Sequence, residues 1–195
     1  MILEGLVTTV DSQGALNLAP MGAILVPTGD TFCLRPYHES QTYQNLCACP
    51  WGVFHVTDDA CLMARAALNT LVALPPMIPA RKIHGWVLAD CCRWYEFEVV
   101  SRQEERQRCL MQIRVIHQET LRNFLGFNRA RHALIEGTIL ATRLPWLSAE
   151  EVQVAWKYLA PLVSKTGDIH EQNTWAWLTQ YVCDWYQQQG MKVVL

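Results

Sequence analysis

Apolar and β-branched residues crowd the first half of the chain in short runs separated by polar breaks. Ile2 to Val10 is the first run and ends at Asp11-Ser12-Gln13-Gly14; Ala15 to Leu25 is the second. A short polar gap containing glycine between two such runs predicts a β-hairpin. Thr31 to Tyr37, entered through Pro27-Thr28-Gly29-Asp30, predicts a third strand, and Trp51 to Thr57 a fourth. Ser40 to Leu46 between them reads as a short helix or turn. Trp86 to Ser101 predicts a strand in which Trp94, Glu96 and Glu98 alternate with Tyr95, Phe97 and Val99, giving one polar and one apolar face. Arg108 to His117 alternates likewise, and the two form a hairpin across Arg102 to Gln107. The proline-rich stretch Leu74 to Ala80 is expected to be irregular.

Ala60 to Leu71 has helical spacing. After His117 the period changes to three-and-four: Asn128 to Arg143 carries Ala133, Leu134, Gly137, Leu140 and Ala141 along one stripe. Ser148 with Glu151, and Asp168 with Glu171, are capping-box patterns that each open a further helix, and Gly190 is a stop signal. The expectation is an α+β chain: a barrel-like β domain over residues 1–118 and a helical region over 119–195.

Composition narrows the function classes. The chain has 195 residues, 51% hydrophobic and 17% charged, with a formal charge of -2. So little charged surface points to apolar area covered by a partner, most simply a second copy of the chain. There is no basic run to replace nucleic-acid counterions, so no nucleic-acid role is expected. No apolar run reaches the length of a membrane span, and MILEGLVTTV has no positive region typical of a signal peptide. Eight cysteines in a chain with an ample core are expected to be free thiols in a reducing compartment, and hence a cytoplasmic protein. Cys47-Ala48-Cys49 lacks zinc-site spacing, and no metal is expected.

Four stretches carry candidate chemistry. Arg35 to Leu46 (RPYHESQTYQNL) supplies Arg35 for charge, hydroxyls from Ser40, Thr42 and Tyr43, and the Asn45 amide at a helix start, where backbone N–H groups favour a phosphate. On spacing alone, a polar loop with an ordinary helix cap accounts for it at least as well. Asn17 to Gly22 (NLAPMG) places Pro20 and Gly22 in a strand, the mark of an edge or bulge with free backbone groups. Arg93, Trp94 and Tyr95 set charge beside aromatic faces suited to a flat ring. Asn128, Arg129 and His132 fall within about one helical turn and reach a cleft or serve the surface.

Taken together, MILEGLVTTV, NLAPMG, RPYHESQTYQNL, GVFHVTDD, CRWYEFEV and GFNRARHALIEGTILATR resemble, in order, the archaeal and bacterial FMN-binding proteins grouped as domain of unknown function 447. The resemblance runs from Met1 to about Arg143. It implies an FMN-binding split β-barrel of the flavin reductase and pyridoxamine-phosphate oxidase type with a C-terminal helical appendage, and a homodimer with FMN at the subunit interface. By it, Thr42-Tyr43-Gln44-Asn45 matches a Thr-x-x-Asn phosphate pattern within a cofactor stretch comprising Arg35, Pro36, Tyr37, Ser40, Gln41, Thr42, Tyr43 and Asn45. The usual preceding Lys-Asp is replaced by Ser40-Gln41, so the charge falls to Arg35 or another residue. Pro20, Met21 and Gly22 would run beside the isoalloxazine, and Trp94 and Tyr95 would approach from the partner. Arg93, Asn128, Arg129 and His132 are candidates for the side facing a small conjugated substrate.

The resemblance also links the family to genomes with tetrahydromethanopterin one-carbon chemistry. Function stays open between a flavin-dependent oxidoreductase, a flavin carrier or assembly protein, and a haem or nucleotide binder on the same barrel. In the carrier case Trp156, Trp175, Trp177 and Trp185 form a docking surface; otherwise they pack in a core or dimer.

Overall fold

The computed structural model describes residues 1–25, 31–191, 193 and 195. The expected approach to the third strand, Pro27-Thr28-Gly29-Asp30, lies outside them. The chain divides into two compact units, Met1–Asp58 with Leu71–Phe124, and Asp59–Thr70 with Leu125–Leu195. A single cut at residue 118 differs from this division because the segment after Asp58 packs with the later helices.

The first unit is a six-stranded antiparallel barrel. Its strands are β1 (Ile2–Val10), β2 (Leu16–Leu25), β3 (Thr31–Leu34), β4 (Trp51–Val56), β7 (Arg93–Glu104) and β8 (Cys109–Thr120), closed in the order β1-β2-β3-β8-β7-β4. A two-stranded ribbon, β5 (Met77–Pro79) with β6 (Trp86–Leu88), is separate from it. The interior holds Val7, Leu34, Phe54, Phe97, Met111 and Ile113, with Phe32 against Phe54 and Phe97 at 5.5 and 6.0 Å between ring centres. Gly5 is required where β1 passes β4, since a Cβ there would lie 2.4 Å from the His55 carbonyl oxygen.

Two expectations need correction here. Leu74 to Ala80 is not wholly irregular: Met77–Pro79 pairs with Trp86–Leu88. Trp86 to Ser101 is accordingly not one strand, because the chain leaves the ribbon at Leu88 and joins the barrel only at Arg93. The polar face of β7 is partly covered by the chain itself. Glu96 is fully buried and accepts hydrogen bonds from the backbone N–H groups of Arg81 and Lys82 (2.7 Å each) and Ile83 (3.2 Å), and from the Trp94 indole (3.3 Å). A carboxylate with four donors is satisfied without water.

Two more buried side chains fasten the same ribbon. The Thr8 hydroxyl donates to the Trp86 carbonyl at 2.5 Å. The His55 ring donates from Nδ1 to the Leu6 carbonyl and accepts at Nε2 from the Leu88 N–H, both at 3.1 Å. That pair of bonds defines a neutral tautomer, and burial pushes the His55 pKa down to about 4 against a weaker upward pull from the Leu6 bond.

The second unit contains α2 (Ala60–Ala67), α3 (Arg129–Ala141), α4 (Ala149–Thr166) and α5 (Ile169–Gln188). Both expected capping boxes form, and Gly190 adopts φ 73 after α5. Helix α2 stops at Ala67, short of the expected Leu71, and Asn69 at φ 52 carries the chain out of it. Of the four tryptophans weighed as either a docking surface or core packing, Trp156 is buried and Trp175, Trp177 and Trp185 are partly buried against apolar residues of the same unit. Trp156 stacks on Trp175 at 5.0 Å, Arg65 lies over Trp177 at 4.5 Å, and Trp185 meets Tyr186 edge-on.

Two outcomes test the ribbon's fastening. Glu96→Ala strips the acceptor from three backbone donors and is expected to cost roughly 3 kcal/mol in urea unfolding, with Glu96→Gln intermediate. For His55, the unfolded chain takes up its proton below the ordinary value of 6.5 while the folded chain resists until about 4. Stability therefore falls as pH drops through that window, by up to roughly 3 kcal/mol, and His55→Phe should flatten the profile of urea midpoint against pH.

Candidate functional site

Helix α1 (Gln41–Ala48) has eight residues, too few to persist alone, so the barrel must hold it. Leu46 anchors it in the barrel's apolar cluster. Its other buried side chains are polar. Asn45 donates from Nδ2 to the Thr9 hydroxyl oxygen (3.0 Å) and accepts from the Gln41 amide (2.7 Å). Asn17 donates from Nδ2 to Thr42 Oγ1 (3.1 Å) and, more weakly, to Thr9 Oγ1 (3.4 Å). Thr9 and Asn17 are opposite each other on β1 and β2. Arg102 donates to the Leu46 carbonyl at 2.5 Å and closes the helix's other end.

The start of α1 has backbone donors without intrahelical partners. Ser40 caps it, accepting from the Tyr43 N–H and donating to the Tyr37 carbonyl. The N–H groups of Gln41 and Thr42, at the first two helical positions, have no carbonyl within the helix to bond. Tyr43 is pushed up to about 12, first by its hydrogen bond with Cys47 and then by burial and Glu104, so it stays protonated and donates to Glu104 at 3.3 Å.

Strand β2 borders an open seam. It pairs with β1 from Leu16 to Ile24 but with β3 only at Ile24 and Leu25. The bonds Leu25 N–H to Met1 and Asp11 N–H to Ala15 set the phase of the β1–β2 ladder, so odd-numbered residues of β2 turn their backbone groups to β1. Leu18, Pro20 and Gly22 turn theirs to the seam. Pro20, which has no N–H, thus stands where no ladder bond is lost. Gly22 is hemmed on its outer face, since a Cβ would lie 2.7 Å from Ile2 Cγ2.

The expected residues do not form one cluster. Ser40, Gln41 and the backbone of Thr42 cluster at the helix start, and Pro20, Met21 and Gly22 lie along the seam strand, Met21 packing inward against the core. Thr42 and Asn45 themselves are 1% and 2% exposed, so in this conformation their side chains hold the helix and do not face a ligand. Arg35 points to the β7–β8 turn, paired with Glu105 at 2.5 Å, and Arg108 lies over Tyr37 at 3.8 Å while donating to the Arg35 carbonyl. Pro36 is buried between them.

Trp94 and Tyr95 do not flank a common ring. As strand neighbours they face opposite ways: Trp94 is buried beside Glu96, and Tyr95 points toward Phe32 and Phe54. Arg93 is exposed and bonds Thr120 and the Tyr95 hydroxyl. In the helical unit Asn128 caps α3, accepting from Ala130 and Arg131 and donating to the Thr166 carbonyl, so it is taken up structurally. Arg129 and His132 are exposed on α3. Sequence reasoning missed Thr9 and the structural use of Asn17. The signal for Thr9 was weak, a hydroxyl on the inward register of a strand otherwise filled with valine and leucine. Among the described residues no group of three or more His, Cys, Asp or Glu side chains could hold a metal ion, and no helix is long and apolar enough to cross a membrane.

A six-stranded barrel with one open seam and a short helix started by unpaired N–H groups defines a flavin-reductase-like split barrel, here with a helical C-terminal unit. The chain belongs to the family described as protein of unknown function (DUF447), whose N-terminal domain profile matches residues 3–122 and whose C-terminal profile matches residues 128–180. The crystal structure of the FMN-bound protein MM1853 from Methanosarcina mazei, of the same family, aligns with TM-score 0.78 at 20% identity, covering 92% of this chain and 94% of that one. The flavin reductase of styrene monooxygenase (SMOB) from Pseudomonas putida S12 aligns with TM-score 0.51 at 13% identity over 62% of this chain and 82% of that one. An FMN-binding protein from Thermus thermophilus gives TM-score 0.53 at 13% identity over 60% and 70%. At these identities the likeness establishes the fold. No curated protein matches the sequence.

Asn45→Ala removes a donor to Thr9 and the acceptor of Gln41. It is expected to cost about 2 kcal/mol in urea unfolding, against under about 0.5 kcal/mol for Gln44→Ala on the exposed side of the same helix.

Proposed function

We propose that this chain binds FMN and acts as a flavin-dependent oxidoreductase on a small conjugated substrate. The observation that carries the reading is the pairing of an open β2 seam with an unpaired helix start on the same barrel, together with the FMN-bound family member that aligns over 92% of the chain. The donor set fits the cofactor. The N–H groups of Gln41 and Thr42, with the Ser40 hydroxyl, suit a phosphate, and the positive end of α1 favours its charge. The seam-facing groups of Leu18, Pro20 and Gly22 suit the edge of a flat ring, with an acceptor row from the carbonyls and donors at Leu18 and Gly22 on either side of Pro20. Arg35 supplies positive charge only by parting from Glu105, an exposed pair worth no more than about 1 kcal/mol.

FMN held there supplies reversible two-electron chemistry. The protein's own groups would bind and orient it: α1 fixes the phosphate, β2 fixes the ring edge, and the aromatic cluster of Phe32, Phe54 and Tyr95 keeps the barrel interior dry. A second copy of the chain is the proposed partner that completes the ring pocket, in keeping with its low charged fraction. A pterin of one-carbon metabolism is one substrate of the proposed class. The alternative of a carrier docked through the helical tail loses support, because the tail's tryptophans pack within their own unit.

Protein purified from cells is expected to be yellow, with flavin absorption bands and one FMN per chain. Anaerobic addition of NADH or NADPH should bleach those bands, and a pterin or quinone from a panel should restore them. A colourless protein that fails to quench added FMN fluorescence sinks the reading. Bound flavin that no donor reduces retains the binding and removes the enzyme.

A further inference from the structure

We infer that Thr9 and Asn17 are positioning residues that set where the phosphate half of FMN sits relative to its ring. The inference rests on the FMN reading above. Leu46 fixes α1 in depth through apolar contact, which is non-directional and leaves the helix free to rock. The orientation of its first turn comes from directional bonds. Asn45 and Asn17 both donate to Thr9 Oγ1, and Asn17 also donates to Thr42 Oγ1, one residue from the helix's first position. Thr9 is 2% exposed, and these bonds meet in a part of the barrel where an unpaired group is costly.

Asn17 has a second connection. It lies on β2, three residues before Pro20, which is about 10 Å along a strand at roughly 3.3 Å per residue. The strand that carries the proposed ring bed therefore also carries the side chain that holds the start of α1. Ring bed and phosphate bed are linked through one amide, so a ligand spanning both is gauged by it. A mere packing contact would affect all flavins alike; this link acts only on those that carry the phosphate.

The test uses two flavins, FMN and riboflavin, which lacks the phosphate. Thr9→Val keeps the side-chain shape and deletes the hydroxyl; Asn17→Ala deletes the shared donor from a residue that is only partly buried. Each full-length variant is titrated with both flavins by fluorescence quenching, with circular dichroism to confirm the fold. The FMN dissociation constant is expected to rise about tenfold in both variants, and that of riboflavin less than about twofold, with Thr9→Ser restoring FMN binding. Equal losses for both flavins, or unchanged FMN affinity in a folded variant, overturn the inference while leaving the FMN reading intact. A wild-type chain that binds neither flavin overturns both. Should Thr9→Val fail to fold, the Asn17→Ala titrations decide alone.

Discussion

Polar side chains buried on strands must find partners inside the protein, and in this barrel that requirement decides what the strands can be attached to. The six-stranded barrel closes on itself through backbone ladders, and its two attachments bury apolar side chains against it, Val87 and Leu88 from the β5–β6 ribbon and Leu46 from α1, but are also tied to it by polar ones. The β5–β6 ribbon is held by Thr8, His55 and Glu96, which point outward from β1, β4 and β7. Helix α1 is held by Thr9 and Asn17 from the β1–β2 ribbon. Thr8 and Thr9 are sequence neighbours on opposite faces of one strand, so the strand's period of two lets β1 serve both attachments. In each case the attachment's placement depends on bonds with direction, which fixes orientation in a way that apolar contact does not.

The site follows from the same geometry. Among the described residues strand β2 pairs with β3 at two positions, and this leaves a row of backbone groups on β2 without a ladder partner on that side. The helix beside it is pinned at the start by side chains, and its first N–H groups have no intrahelical carbonyl to bond. Charge plays a smaller part than expected. The guanidinium nearest in sequence, Arg35, is engaged with Glu105 on the β7–β8 turn, and Arg108 is stacked on Tyr37. In the proposed FMN reading, neutral donors and the helix's own field would thus carry most of the attraction for the phosphate.

Much of the fold was legible because period-two and period-3.6 patterns are driven by burial, and burial is local in sequence for β1, β2, β4 and the capped helices α4 and α5. The misses have a common cause. Glu96 was read as part of a polar strand face, but the segment that covers it, residues 81–83, bonds it through backbone N–H groups that side-chain patterning does not register. Met77–Pro79 was assigned to irregular structure because it lies in the proline-rich stretch Leu74 to Ala80, although three ladder partners suffice for so short a strand. Thr42 and Asn45 show the same limit at the site. Their residue types mark them as donors, but whether a donor faces a ligand or a neighbouring strand is a tertiary fact. Pro20 was legible in full, since a proline within a strand announces a missing bond whatever surrounds it.

Pro20 has a further consequence for the chain as it leaves the ribosome. An unpaired strand edge is adhesive: it can zip to the same edge of another nascent chain and seed a growing sheet. A proline at a seam-facing position removes one donor from that edge and pushes its ring into the path of an approaching strand. The seam is thereby closed to a continuous backbone, and the protein can keep one edge of its sheet unsealed without turning it into a template for aggregation.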